Sequence, residues 1–173
     1  MRYFALPLPS EPMVRCSLAF ATMLALSAGA AERPNIVYLL ADDLGWQDVG
    51  YLGKEIRTPN IDRLAEGAMR LNQFYVQPYS TQTRAALLTG RYPMRYGLQT
   101  QSILPASSYG LPADERTLAQ ALKEAGYRTA LVGKWQLGHA QPDMGPLRRG
   151  FDYQYGPLAG QVDRLRKTNV LGP

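Results

Sequence analysis

Residues 117–135 read TLAQALKEAGYRTALVGKW, and the fold class turns on this stretch. Leu118, Ala121, Leu122 and Ala125 share one face at helical spacing, which predicts an amphipathic helix over Thr117–Ala125. Gly126 follows, the residue type that most readily takes the left-handed conformation ending a helix. Arg128–Trp135 (RTALVGKW) then reads as a short buried strand. Helix, glycine and strand in that order make one half of a βαβ unit. The expected class is therefore α/β, with a mostly parallel (mixed) sheet sandwiched by helices. In such sheets ligands collect beyond the carboxyl ends of the strands.

Upstream, Asn35–Ala41 (NIVYLLA) is a nearly unbroken apolar run, which predicts a buried parallel strand ending at Asp42-Asp43. Thr58-Pro59-Asn60 is a helix start, with Thr58 as cap and Pro59 in the first helical position. Ile61, Leu64 and Ala68 fall on one face of that helix, and Gly67 weakens its end. Arg70–Val76 alternates like a strand. Thr83–Leu88 begins a second helix, stopped near Gly90 and Pro93, and residues 91–112 read as a long loop.

The chain has 173 residues, 46% of them apolar and 19% charged, which suits one domain with a packed core. The net charge of +5 is dispersed apart from Arg164, Arg166 and Lys167. That pattern argues against a nucleic-acid binder and is compatible with an anionic substrate. Cys16 is the one cysteine and His139 the one histidine. A disulfide framework within the chain and a Cys- or His-based zinc site are excluded, so a metal here must rely on oxygens.

Met13–Ala30 has the layout of an export signal: Arg15, an apolar run Leu18–Leu26 too short to span a bilayer, and Ala28-Gly29-Ala30 as the cleavage pattern. The expected organisation is residues 1–30 as upstream sequence plus signal peptide, then 31–173 as the folded part. The expected location is exported, periplasmic or secreted, with no transmembrane segment after signal removal.

Three strand or helix ends carry chemistry. Adjacent carboxylates at Asp42-Asp43 suit a hard divalent cation, or simply a polar turn. Ser80 near a helix start, with Arg84 one turn on, suits an oxyanion, or a capped helix with a surface arginine. Lys134, at the end of the last strand, can point its ammonium at an anion, or snorkel to solvent.

Taken together, Arg33–Gly45, Thr58–Ala65, Arg84–Pro93, Gly133-Lys134-Trp135 and Gly150-Phe151-Asp152-Tyr153 resemble the N-terminal part of a sulfatase of the arylsulfatase type, in the alkaline phosphatase-like superfamily. The resemblance runs from about Arg33 to about Gly160 and implies that fold, in incomplete form. It also implies metal ligation by Asp42, Asp43 and Ser80, with one calcium ion as cofactor. Ser80 falls where the family carries the Cys or Ser that is oxidised to formylglycine, and a formylglycine-generating enzyme would be the partner for that step. Arg84 and Lys134 join Ser80 as catalytic residues, and Lys134, Gln136 and His139 are the substrate-binding candidates. The implied reaction is hydrolysis of a sulfate ester on a small molecule or polysaccharide.

This sequence departs from the family pattern at named positions. Gln82 and Thr83 stand where the modification motif has Pro and usually Ser, and Gln136 stands where His usually follows Lys-Trp. Residues 31–173 are expected to be a truncated N-terminal part of the catalytic domain. Two other readings stay open at this point: an inactive sulfatase fragment, and a phosphate-ester hydrolase that uses unmodified Ser80.

Overall fold

The computed structural model describes residues 33–53, 55–100, 102–160, 162–163 and 168–169. The expected export signal and the basic residues Arg164, Arg166 and Lys167 lie outside them. The chain divides into two compact units, residues 1–41 and 42–173.

In the first unit the described residues are 33–41, all exposed and outside any strand ladder. The strand expected over Asn35–Ala41 is therefore not formed or buried, and Val37 and Leu39 are about four-fifths exposed, at 81% and 79%. Apolar composition marks a segment that a sheet could bury, but burial needs flanking ladders. Among the described residues no strand pairs with this one.

The second unit opens with α1, Pro59–Glu66, with proline in its first turn as expected. Thr58 does not cap the helix with its side chain. Its hydroxyl accepts from the Gly50 N–H at 2.7 Å and donates to Asp62 Oδ1 at 2.8 Å. Thr58 thus ties the helix to the preceding turn. Ile61 and Leu64 do share a face of α1, Ala68 lies past its end, and all three are exposed. Residues 70–76 form a turn and irregular chain, not the expected strand, and all are exposed.

Helix α2 spans Ser80–Thr89, beginning three residues before the expected start, and ends at Gly90. Helix α3 spans Leu118–Glu124 and opens with a capping box: Thr117 Oγ1 accepts from the Gln120 N–H, and Gln120 Oε1 accepts from the Thr117 N–H. It closes with a Schellman motif, in which Gly126 adopts φ 84°, the Tyr127 N–H bonds Leu122 O and the Gly126 N–H bonds Lys123 O. The buried residue of α3 is Ala119, whereas Leu118, expected on the inner face, is 41% exposed. Thr117 Oγ1 donates to Arg149 O at 2.7 Å, and the backbone of Gly150 lies against Ala119 and Gln120. That contact, rather than the apolar spacing, sets the rotation of the helix.

Strand β1, Ala130–Val132, pairs in parallel with β2, Tyr153–Tyr155, with Leu131 opposite Gln154. The ladder is shorter than the strand expected over Arg128–Trp135, and Ala130 and Val132 are exposed. Pairing nevertheless continues past β1: Gly133, Trp135 and Gln136 donate their N–H groups to Tyr155, Pro157 and Leu158 carbonyls at 2.8, 3.0 and 2.9 Å. A second pair, β3 (Val162–Asp163) and β4 (Thr168–Asn169), is antiparallel. The class is α/β with a mixed set of strands, as the helix–glycine–strand order predicts.

The core of this unit joins Ala85 of α2, Trp135 and Leu137 after β1, and Leu98, Ile103 and Leu111 from the long 91–112 segment. Trp135 is 1% exposed and packs edge-on to Phe151 with ring centroids 6.1 Å apart. Its indole N–H is shared between Gly138 O and Met144 O, each at 3.0 Å. No helix among the described residues is long and apolar enough to cross a membrane.

Candidate active site

Asp42 is the centre of the site. Ser80 stands in the first turn of α2 and Arg84 one turn later, so both side chains reach the same end of the helix. Lys134 and Gln136 follow β1, on the segment held in register by the 155–158 backbone. Lys134 Nζ pairs with Asp42 Oδ2. Arg84 Nη2 lies 3.3 Å from Asp42 Oδ1. Ser80 Oγ lies 3.2 Å from that same oxygen and 2.7 Å from Gln136 Oε1. The hydroxyl has one proton and two acceptors, and the shorter contact is to Gln136.

Burial pushes the Asp42 carboxyl up, but Lys134, Arg84 and the Ser80 hydroxyl outweigh it and hold the group below the usual carboxylate range. Burial lowers the Arg84 guanidinium, opposed by Asp42 and Asp43. Arg84 Nε is buried with no partner among the described residues. Asp43 adopts φ 57°, a left-handed backbone that short polar side chains tolerate. Its carboxylate faces solvent and acts on Arg84 through the field.

The structure thus brings Asp42, Ser80, Arg84, Lys134 and Gln136 together. His139 is anchored elsewhere, with Nε2 2.9 Å from Pro105 O. Three further residues shape the site without having been singled out in the sequence. Thr81 is fully buried and accepts the Ile103 N–H at 3.0 Å. Ile103 O lies 3.3 Å from Gln136 Nε2. Gly160 lies against the Gln136 amide. Thr81 had a signal, a polar residue one step inside a helix start; Ile103 and Gly160 are read only in three dimensions.

The family profile described as Sulfatase matches residues 34–170. The chain belongs to the sulfatase family. It is 46% identical over 137 residues to mouse (Mus musculus) Arylsulfatase J, covering 79% of this chain and 23% of that protein. It is 52% identical over 139 residues to human (Homo sapiens) Steryl-sulfatase, covering 73% of this chain and 24% of that protein. Among solved structures, Ps i-CgsB matches with a TM-score of 0.70 at 43% identity, covering 76% of this chain and 30% of the other. The sulfatase chain described here spans about a quarter of the length of these two curated relatives. Its fold class is that of the alkaline phosphatase-like sulfatases, represented here in part.

The sulfatase family implies calcium, and the oxygen donors of this cluster match that ion in kind. Asp42, Asp43, Ser80 and the neighbouring Gln136 carbonyl offer only hard oxygens. Among the described residues no group of three or more His, Cys, Asp or Glu adds to them. Both Asp42 oxygens are engaged, by Lys134 on one and by Arg84 and Ser80 on the other, so a cation bound there would take the place of one of these partners. Asp42 and Asp43 balance Arg84 and Lys134, so a divalent ion would turn a neutral cluster into one that attracts an anion.

Proposed function

We propose that this chain carries the nucleophile end of a sulfuric ester hydrolase, with Ser80 as the reacting residue. The observation that supports it is the convergence of the Ser80 hydroxyl, two cationic side chains and a carboxylate on one point. Arg84 and Lys134 supply positive charge where a sulfate's oxygens would gather, which is the usual way such a transition state is stabilised. Asp42 holds both cations in place. Asp42, Asp43 and Ser80 would hold the calcium ion, which would activate the nucleophile and neutralise the ester.

Oxidation of Ser80 to formylglycine would supply a nucleophile able to release sulfate by re-forming its aldehyde; a plain serine ester lacks that route. A formylglycine-generating enzyme would be the partner for it. Lys134 and Gln136 would form the substrate side, without His139, which is held at Pro105 O. A solved neighbour of 44% identity is in complex with k-i-k-neocarrahexaose, which supports a saccharide as the carrier of the sulfate. Residues 31–173 are then the N-terminal part of the catalytic domain, and residues 1–30 its export address.

The test uses the full chain with calcium and an aryl sulfate. The tryptic peptide 71–84 is analysed in parallel for oxidised Ser80. Sulfate release should scale with the oxidised fraction, vanish in Ser80→Ala and fall on chelation. Fully oxidised, calcium-loaded chain without release would overturn the reading and leave an inactive sulfatase fragment. The intact Ser80 hydroxyl beside Asp42 favours one second reading, attack of unmodified serine on a phosphate ester. Phosphate release that survives Ser80→Ala would sink it.

A further inference from the structure

Gln136 sits in the left-handed region at φ 53°, although it has a full side chain. Such strain persists only where the surroundings over-determine it, and here each end of the residue is held. Its N–H donates to Leu158 O at 2.9 Å. Its Nε2 donates to Ile103 O at 3.3 Å, which fixes the amide so that Oε1 faces Ser80. Oε1 then accepts the Ser80 hydroxyl at 2.7 Å. Gln136 is only 5% exposed, so water does not compete for these bonds. Ile103 is held in turn by Thr81, the neighbour of Ser80 in α2.

The amide has room for this pose because residue 160 is glycine. A Cβ there would stand 2.4 Å from Gln136 Nε2 and 3.0 Å from Cδ. The side-chain end would have to move, and the bond to Ser80 would go with it.

We propose that Gln136 is the positioning residue of Ser80, and that Gly160 is the glycine that lets it reach. The amide makes the shorter of the two Ser80 contacts, 2.7 Å against 3.2 Å to Asp42 Oδ1, and so sets the direction of the hydroxyl. Since an amide does not titrate, the direction of the hydroxyl stays fixed across neutral pH. This rests on the reading of Ser80 as the reacting residue, but its test needs no turnover.

The test is a set of double-mutant cycles on the full chain, read as urea midpoints. Gly160→Ala should lower the midpoint in the wild-type background. In Ser80→Ala and in Gln136→Ala backgrounds the same change should lower it by less than half as much, because the bond it disrupts is already gone. Equal lowering in the wild-type and Ser80→Ala backgrounds would show that Gly160 acts through packing on Gln136 alone, and would overturn the proposal. Where Gly160→Ala does not fold, the Gln136 side-chain amide resonances decide. They should move on Ser80→Ala if the bond exists, and unmoved resonances would overturn it.

Discussion

Lys134 and Asp42 form the ion pair around which the site is arranged, with the Lys134 ammonium on Oδ2 while Arg84 and Ser80 share Oδ1. The two side chains are 19% and 24% exposed, so the pair is only partly screened by water. Lys134→Met keeps the length of the side chain and removes the charge. It should lower stability by about 2 kcal/mol, the scale of a hydrogen bond to a charged group. The Asp42 carboxyl should move back up toward its ordinary range, because its first stabilising partner is lost. Urea unfolding and a carboxyl NMR titration check the two outcomes. An unchanged midpoint would mean the pair contributes nothing to the fold.

Gly150 makes the second prediction. It adopts φ 99°, and a Cβ would stand 2.3 Å from Gln120 N and 2.7 Å from Ala119 C. These are backbone atoms of α3, which cannot rotate away. Gly150→Ala should therefore add left-handed strain of about 1–2 kcal/mol to an overpacking cost of about 1–3 kcal/mol. The midpoint of urea unfolding should drop accordingly, whereas Gly67→Ala, whose Cβ meets nothing within 4 Å, should be close to neutral.

Trp135 is expected to be the costliest core residue to truncate. It is 1% exposed and shares its N–H between two carbonyls. Trp135→Ala should cost about 3–5 kcal/mol, the range for deleting a large buried aromatic. The other tryptophan, Trp46, is 61% exposed. Fluorescence of Trp46→Phe should therefore report Trp135 alone, blue-shifted when folded and red-shifted on unfolding.

The site was more legible in the sequence than the packing. Ser80 opens α2, Arg84 lies one turn on and Lys134 just past β1, and with Asp42 their types match one chemistry, so pattern and motif agree. The α3–β1 order also reads directly, because capping and glycine signals are local. Burial does not. Asn35–Ala41 and the Ile61–Leu64 face are apolar yet exposed, since periodicity tells which residues share a face but not what covers it. Conversely Ile103 is fully buried within a segment read as loop, because irregular backbone leaves no period to read.

Asp152 gives a pH dependence with a definite sign. Lys123 and the Thr129 N–H hold its carboxyl down to about 2, against an ordinary value of 3.8. A carboxylate lowered on folding stabilises the fold above its unfolded value and loses that contribution as pH falls through the folded one. The loss should appear between about pH 4 and pH 2. Lys123→Met removes the main cause and should flatten stability across that window, seen as urea midpoints measured at successive pH values.

Whether residue 80 can be modified at all turns on its neighbour at 82. Gln82 occupies the place where the family's modification motif has proline. It is the third residue of α2 and 1% exposed. A first-turn residue has no helical acceptor for its N–H, so the backbone there tolerates proline. The first α-helical bond of the turn comes one residue later, from the Thr83 N–H to Tyr79 O at 3.0 Å. Gln82→Pro should therefore keep α2 intact, at the expense of the buried glutamine's own contacts. Combined with Ser80→Cys and expressed alongside a formylglycine-generating enzyme, it should raise the aldehyde content of peptide 71–84 above that of Ser80→Cys alone. Equal aldehyde in the two would mean that Gln82 is no obstacle to recognition.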